Sequence, residues 1–179
     1  NMPARLPDGA TRASLNSQIH EFEFHLALTS QQLDTQAIYQ LMQQFDLPVS
    51  TLNPVMNPRY LHGYIDLVYE HNNKYYVADY KSNSLNVAGQ PDCVDNYQAT
   101  AMQRNMSDAG YWLQAVLYQV ALHRYLRVRL PDYQPAQHLG GVVYLYLRGM
   151  READDQSSVS LTGGLLWPVN SRLIHQLAE

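Results

Sequence analysis

The sequence predicts an α/β domain, bordering on α+β, in which helices flank one mixed sheet, and three observations carry that prediction. Apolar and polar residues alternate from Glu21 to Leu28, two strand-like runs meet at an Asn-Asn turn near residue 72, and a helix-length segment ends at Leu130-Pro131 before a β-branched run. With 179 residues the chain can bury one core but not two, so a single domain is expected.

Asn1 to Ser17 mix Pro, Gly, Asp and Arg without periodicity, which predicts a loose segment with Asn1-Met2 as a cloning remnant, and the domain proper is taken as 18–179. Phe22, Phe24, Leu26 and Leu28 alternate with Glu21, Glu23, His25 and Ala27, the period of a strand with one buried face. Ser30 can cap a helix in which Leu33, Ala37, Ile38, Leu41, Met42 and Phe45 recur at helical spacing up to Asp46-Leu47-Pro48. Strands over Leu61 to Glu70 and Lys74 to Lys81 form a hairpin, because Asn72 and Asn73 tolerate the positive φ of a tight turn. After turn-rich residues 82–91, the spacing predicts helices over Val94 to about Met106 and Tyr111 to Arg129. Gly140 to Leu147 is a strand by composition, 152–160 a polar loop, Leu165 to Val169 a short strand, and Asn170 a cap for a helix through Leu177.

Composition narrows the function classes. Hydrophobic residues make up 46% and charged residues 16%, an ordinary globular balance, but 14 Tyr against 3 Phe implies many half-buried rings with wet hydroxyls. A single cysteine, Cys93, excludes an internal disulfide framework and any Cys-ligated zinc or iron–sulfur site built by this chain alone. The longest apolar runs are too short to span a bilayer, and the start lacks a basic-then-apolar leader pattern. A net charge of -4 argues against autonomous capture of a polyanion, so a nucleic-acid substrate would need help to be held.

The residues with chemistry to perform sit on the hairpin. Asp66 interrupts the apolar run Tyr64-Ile65-Asp66-Leu67-Val68, where an ionised carboxylate is expensive to bury unless a cation or donor meets it. The plain structural reading is a strand-end Asp bonded to backbone. Asp79 and Lys81, two apart on one strand, share a face while Tyr80 points away, and the turn brings Asp66 onto the neighbouring strand. An ordinary surface ion pair would explain Asp79 and Lys81 alone. Two converging carboxylates and an ammonium have a further use: hard oxygens hold Mg²⁺, and a lysine orients water or steadies charge on a phosphodiester.

Gly63-Tyr64-Ile65-Asp66-Leu67-Val68 followed by Ala78-Asp79-Tyr80-Lys81-Ser82-Asn83 resembles the Asp, spacer, Asp-x-Lys signature of PD-(D/E)xK nucleases, in the form carried by RecB-type domains, those of the exodeoxyribonuclease V beta subunit. Gln114 and Tyr118, one helical turn apart, look like the Gln-x-x-x-Tyr motif of that branch. The runs 121–126 and 140–149 also resemble it, so the likeness covers roughly Glu21 to the C-terminus. It implies a restriction-endonuclease-like core and Mg²⁺-dependent hydrolysis of DNA fed by an attached helicase in double-strand break repair and recombination. It further implies Asp66, Asp79 and the Tyr80 carbonyl as metal ligands, Lys81 at the attacking water or scissile phosphate, and Gln114 and Tyr118 as DNA contacts or braces. The partners implied are DNA, RecC, RecD and RecA, in the bacterial cytoplasm and away from membrane.

One departure stands out. RecB-type domains carry a further metal-ligand His on a helix well before the first Asp, and the chain is expected to begin after that helix. This keeps open a second reading, a catalytically incomplete docking module for RecA, RecC or RecD. His20, His25, Glu21 and Glu23 lie on or beside the first strand and read as surface or hydrogen-bonded residues, so none is assigned a role. Related nucleases of the Cas4-like or AddB-like kind commonly carry four cysteines for an iron–sulfur cluster, which Cys93 alone cannot supply.

Overall fold

The computed structural model describes residues 6–11, 14–15, 17–27, 35–47, 60–86, 91, 93–150, 163–170, 172 and 174. The α/β architecture expected from the sequence is present: a five-stranded mixed sheet in the order β1-β2-β3-β4-β5, with helices over one face. In chain order the elements are β1 (Gln18–Ala27), α1 (Thr35–Gln44), β2 (Tyr60–His71), β3 (Lys74–Lys81), α2 (Ala99–Asp108), α3 (Tyr111–Arg129), α4 (Pro135–His138), β4 (Leu139–Tyr146) and β5 (Gly164–Pro168). β1, β2 and β3 form an antiparallel meander, β4 joins β3 in parallel, and β5 returns antiparallel to β4. The parallel β3–β4 pair needs a crossover, and α2 and α3 supply it across the sheet face.

Local chemistry accounts for most element boundaries. Asn72 and Asn73 carry the positive φ values of 50° and 60° that a two-residue hairpin turn demands. α3 ends where Leu130 turns extended ahead of Pro131, and Arg127 and Arg129 lie in its last turn, complementing the helix dipole. The segment read as one helix from Val94 to Met106 is in fact two: a 3₁₀ turn at Val94–Tyr97, then extended Gln98, then α2. Tertiary contact causes the break. The buried Tyr97 ring lies against Gly149 and its hydroxyl donates to the Asn83 carbonyl, which pins that turn to the end of the sheet.

Two apolar clusters sandwich the sheet. The larger joins Phe24, Leu26 and Ile65 to Val116, Val120 and Leu122 of α3 and to Ile38 and Met42 of α1. The smaller, on the opposite face, holds Leu67, Tyr69, Tyr76, Ala78, Val143 and Leu145 and is closed by Leu6 and Ala10, so part of the segment expected to be loose is buried. The buried tyrosines also differ from expectation. Two of them bond inside the protein, the Tyr144 hydroxyl to the Tyr111 carbonyl and the Tyr146 hydroxyl to Asn105, while the Tyr69 hydroxyl is buried with no hydrogen-bond partner among the described residues. Residues 28–34 with the Ser30 cap, and the polar loop 152–160, lie outside the described residues. Of the terminal helix, the Ile174 amide bonds to the Asn170 carbonyl.

Strand alternation slips once, and the slip falls beside the site. Ile19, Phe22 and Phe24 all reach the larger cluster although 19 and 22 differ in parity, and Ile65 and Val68 do the same on β2. Glu21 takes a φ of 52° between them, and the β1–β2 pairing passes from His20↔Leu67 to Phe22↔Ile65 without it or Asp66. Asp66 is thereby left facing neither core and half-exposed.

Gly140 and Gly141 mark an irregularity where β4 enters the sheet. Gly141 has φ +128°, and a Cβ there would sit 2.4 Å from the Trp167 carbonyl oxygen. Gly141→Ala should therefore destabilise the domain by about 3 kcal/mol, combining backbone strain with overlap against main chain. Chemical denaturation would check it; a change within experimental error would show that the β4–β5 pair relaxes freely.

Candidate active site

β2 and β3 pair from His71↔Lys74 to Leu67↔Ala78 and then part. β3 runs on alone beside β4, with Asp79 opposite Tyr144 and Lys81 opposite Tyr146. In the gap so opened, the Tyr80 amide has lost its β2 carbonyl, and Asp66 Oδ2 accepts its hydrogen bond instead at 2.8 Å. A residue's N–H and C=O point to the same side of a strand, so the Tyr80 carbonyl faces the same gap. Splaying the strands thus brings the Asp66 carboxylate onto the Tyr80 main chain, next in sequence to Asp79, whose carboxyl feels the Asp66 charge.

Asp79 and Lys81 lie on the face covered by α3, where they are 4% and 7% exposed. Lys81 Nζ forms an ion pair with Asp79 Oδ2 and donates to Gln114 Oε1 at 2.9 Å. Its charge also lies over the Tyr111 ring, 3.8 Å from the centroid, with the Tyr144 ring at 5.2 Å. An ammonium only donates, so the amide oxygen of Gln114 must face it and the amide nitrogen must face away. That nitrogen donates to the Tyr118 hydroxyl at 2.9 Å. Tyr118 in turn lies 3.1 Å from both Asp79 Oδ1 and the Tyr64 carbonyl, and its single proton serves one of them at a time. α3 therefore ties β2, β3 and the lysine together through two side chains one turn apart.

Burial pushes the Asp79 carboxyl above the ordinary carboxylate range; the adjoining Lys81 draws it back and the Asp66 charge adds to the push. Burial, with Asp79 alongside, likewise holds the Tyr118 hydroxyl well above an ordinary phenol, so it stays a donor at neutral pH. Asp79 Oδ2 is buried, and among the described residues the Lys81 ammonium is its one partner. A buried anionic oxygen of that kind, next to a second carboxylate and a carbonyl, is a donor set suited to a hard divalent cation.

All the sequence-predicted residues, Asp66, Asp79, Tyr80, Lys81, Gln114 and Tyr118, meet in this one place. Sequence reasoning missed Tyr111 and Tyr144, which form the aromatic wall behind Lys81. Tyr111 had a signal, three residues before Gln114 and so on the same helix face. Tyr144 had none, since its place opposite Asp79 depends on the β3–β4 register. Glu23 pairs with His25 and His62. Replacing Tyr118 by Phe should lower stability by about 1–2 kcal/mol, because the Gln114 amide and one Asp79 oxygen lose their partner. Urea unfolding of both forms would measure it, and an unchanged midpoint would mean that water takes over the hydroxyl's place.

Residues 8–164 match the model of the PD-(D/E)XK nuclease superfamily. The chain is 42% identical over 155 residues to the RecBCD enzyme subunit RecB of Escherichia coli K12, covering 82% of the chain and 12% of that protein. Against the same subunit of Haemophilus influenzae it is 38% identical over 142 residues, 79% of the chain and 11% of the relative. With that of Mycobacterium tuberculosis H37Rv the identity is 47% over 122 residues, 67% of the chain and 11% of the relative. The chain therefore spans about an eighth or less of the length of these relatives.

Proposed function

The chain belongs to the PD-(D/E)XK nuclease superfamily, and from that membership we propose that its site hydrolyses DNA phosphodiester bonds with Mg²⁺ held by Asp66, Asp79 and the Tyr80 carbonyl. The observation that carries this reading is the buried Asp79 carboxylate, whose Oδ2 is compensated by a cation, the Lys81 ammonium, with the Asp66 charge close enough to act on it. Bound there, the ion would acidify a water and neutralise charge developing on the phosphate.

The chain's own residues do the rest. The Lys81 ammonium lies against Asp79, held by Gln114 and the Tyr111 face. With a metal compensating Asp79, Lys81 would be free to offer its protons to a phosphate oxygen or to orient the attacking water. Tyr118 keeps the other Asp79 oxygen in place through its hydroxyl, so the carboxylate does not rotate. A cleft of about 340 Å³ runs beside Gln114 and Tyr118, walled by Phe24, Leu61, Leu113 and Leu117, and accommodates the apolar faces of a nucleotide.

The direct test is cleavage of labelled single-stranded DNA with Mg²⁺ and with EDTA. Metal-dependent cutting is expected; cutting that persists in EDTA would remove the metal from the reading. Metal binding without any cutting would favour the second reading, a docking module, for which the likeness to a RecBCD subunit is the supporting observation. By the same likeness the domain works in a helicase–nuclease with RecC and RecD in the bacterial cytoplasm, with RecA as a further partner. Among the described residues no helix is long and apolar enough to cross a membrane. The net charge of -4 fits delivery of DNA by an attached motor better than capture by the domain itself.

Acid should weaken the metal. A proton and Mg²⁺ compete for Asp79, and its raised pKa means that competition begins at a higher pH than for an exposed aspartate. Without metal the sign is opposite: a carboxyl held more tightly protonated in the folded state stabilises the fold at low pH, and that contribution disappears as pH rises through its folded pKa. The rise in Tm produced by Mg²⁺ is therefore expected to grow with pH from the acid side through Asp79's titration. A Tm increment independent of pH would place the metal elsewhere.

A further inference from the structure

On the sheet face away from α3, near the end of the β1–β2 pair, His25 and His62 sit directly opposite each other in the register. Their rings stack at 4.6 Å, 16° from parallel. Glu23, two residues along β1, points the same way, and its Oε1 lies 2.8 Å from His62 Nε2 and 3.4 Å from His25 Nε2. The three groups can place one ligand atom each within 4.8 Å of the others. We propose that Glu23, His25 and His62 form a second metal site, for a zinc-type transition ion and separate from the carboxylate pair across the sheet.

The chemistry selects that class of ion. Imidazole is a borderline-soft donor that suits zinc, copper and nickel, whereas Mg²⁺ prefers oxygens alone. A tetrahedral zinc ion with bonds of about 2.0–2.1 Å separates its ligand atoms by roughly 3.3 Å, between the two separations found here. Two histidines and one glutamate supply three ligands, and with the side chains 66%, 47% and 50% exposed the fourth position opens to water. The carboxylate is also steadied from outside: the Tyr64 hydroxyl lies 3.3 Å from the same Glu23 Oε1 and donates to it, the kind of outer hydrogen bond that orients metal ligands. All four residues stand on paired strands, so their spacing follows from backbone register and needs no loop closure. An ordinary surface ion pair needs one histidine; here two nitrogens converge on one carboxylate oxygen.

A bound ion would staple β1 to β2 at Tyr64, whose carbonyl on the main chain meets the Tyr118 hydroxyl beside Asp79. The zinc site does not depend on the nuclease reading, and the test separates the two. Zinc is titrated calorimetrically into the chain in a large excess of Mg²⁺, alongside His25→Gln, His62→Gln, Glu23→Gln and, as a control at the other site, Asp66→Asn. One zinc equivalent is expected to bind despite the Mg²⁺, and loss of either imidazole should weaken it by about tenfold or more, no less than outer-shell changes typically do. Asp66→Asn should leave zinc affinity unchanged. Nitrogen NMR of the histidine rings should show the His25 and His62 Nε2 signals moving with zinc while the other histidines stay put. The proposal is overturned if no zinc binds under these conditions, if Mg²⁺ displaces it, or if His62→Gln binds zinc as the parent does. The varied side chains are exposed, and circular dichroism confirms that each variant is folded before titration.

Discussion

Asp79→Ala is expected to reduce metal-dependent DNA cleavage by more than about a thousandfold, since a metal contributes several kcal/mol to the transition state and each 1.36 kcal/mol is a factor of ten. The same change leaves the Lys81 ammonium buried without its anion, at a cost of about 3–5 kcal/mol to the fold. Lost activity could then reflect an unfolded domain. The double variant Asp79→Ala with Lys81→Met removes both charges from the buried pair and should recover most of that stability, because non-additive effects are expected of groups in contact. A stable, inactive double variant would locate the loss in the chemistry. A double variant that still cuts DNA with Mg²⁺ would show that Asp79 is not a metal ligand.

Lys81→Met by itself should separate activity from metal affinity. Removing a donor aimed at a charged transition state lowers turnover by about 10²–10³. Yet Lys81 pairs with the Asp79 oxygen proposed to hold the cation, so the two positive charges would compete for it. Its removal should make Mg²⁺ bind more tightly even as cleavage falls. Single-turnover rates and a Mg²⁺ titration on the same protein measure the two effects, and a parallel fall in both would mean that Lys81 supports the metal site and does not oppose it.

Much of the site was legible before any fold was known, because its residues obey short-range periods. Asp79 and Lys81 share a face by the two-residue repeat of a strand, and Gln114 and Tyr118 by the helical turn. Asn72 and Asn73 announced the tight turn that folds Asp66 back toward them. Gln114 bonds Lys81 and Tyr118 bonds Asp79 directly.

The illegible parts are those set by contacts between distant residues. Nothing local says that β2 and β3 separate after Leu67 and Ala78, and without that separation Asp66 would have no reason to bond the Tyr80 amide. The positive φ of Glu21 and the slip in alternation around it come from packing two strands against one helix layer, so the β1 pattern read from sequence ran straight through them. Gln98 breaks a helix that its neighbours favour because Tyr97 is drawn into the sheet end. His25 and His62, plain strand residues by themselves, face each other only once the β1–β2 register is set.

By itself, then, the sequence determined most element types, the hairpin turn and the identity of the side chains that gather at the candidate site, since propensity and periodicity are properties of neighbours along the chain. Only the tertiary structure decided the strand order, the splayed gap, the aromatic wall behind Lys81 and the burial that perturbs Asp79. Register and desolvation arise between segments far apart in sequence, and no local pattern encodes them.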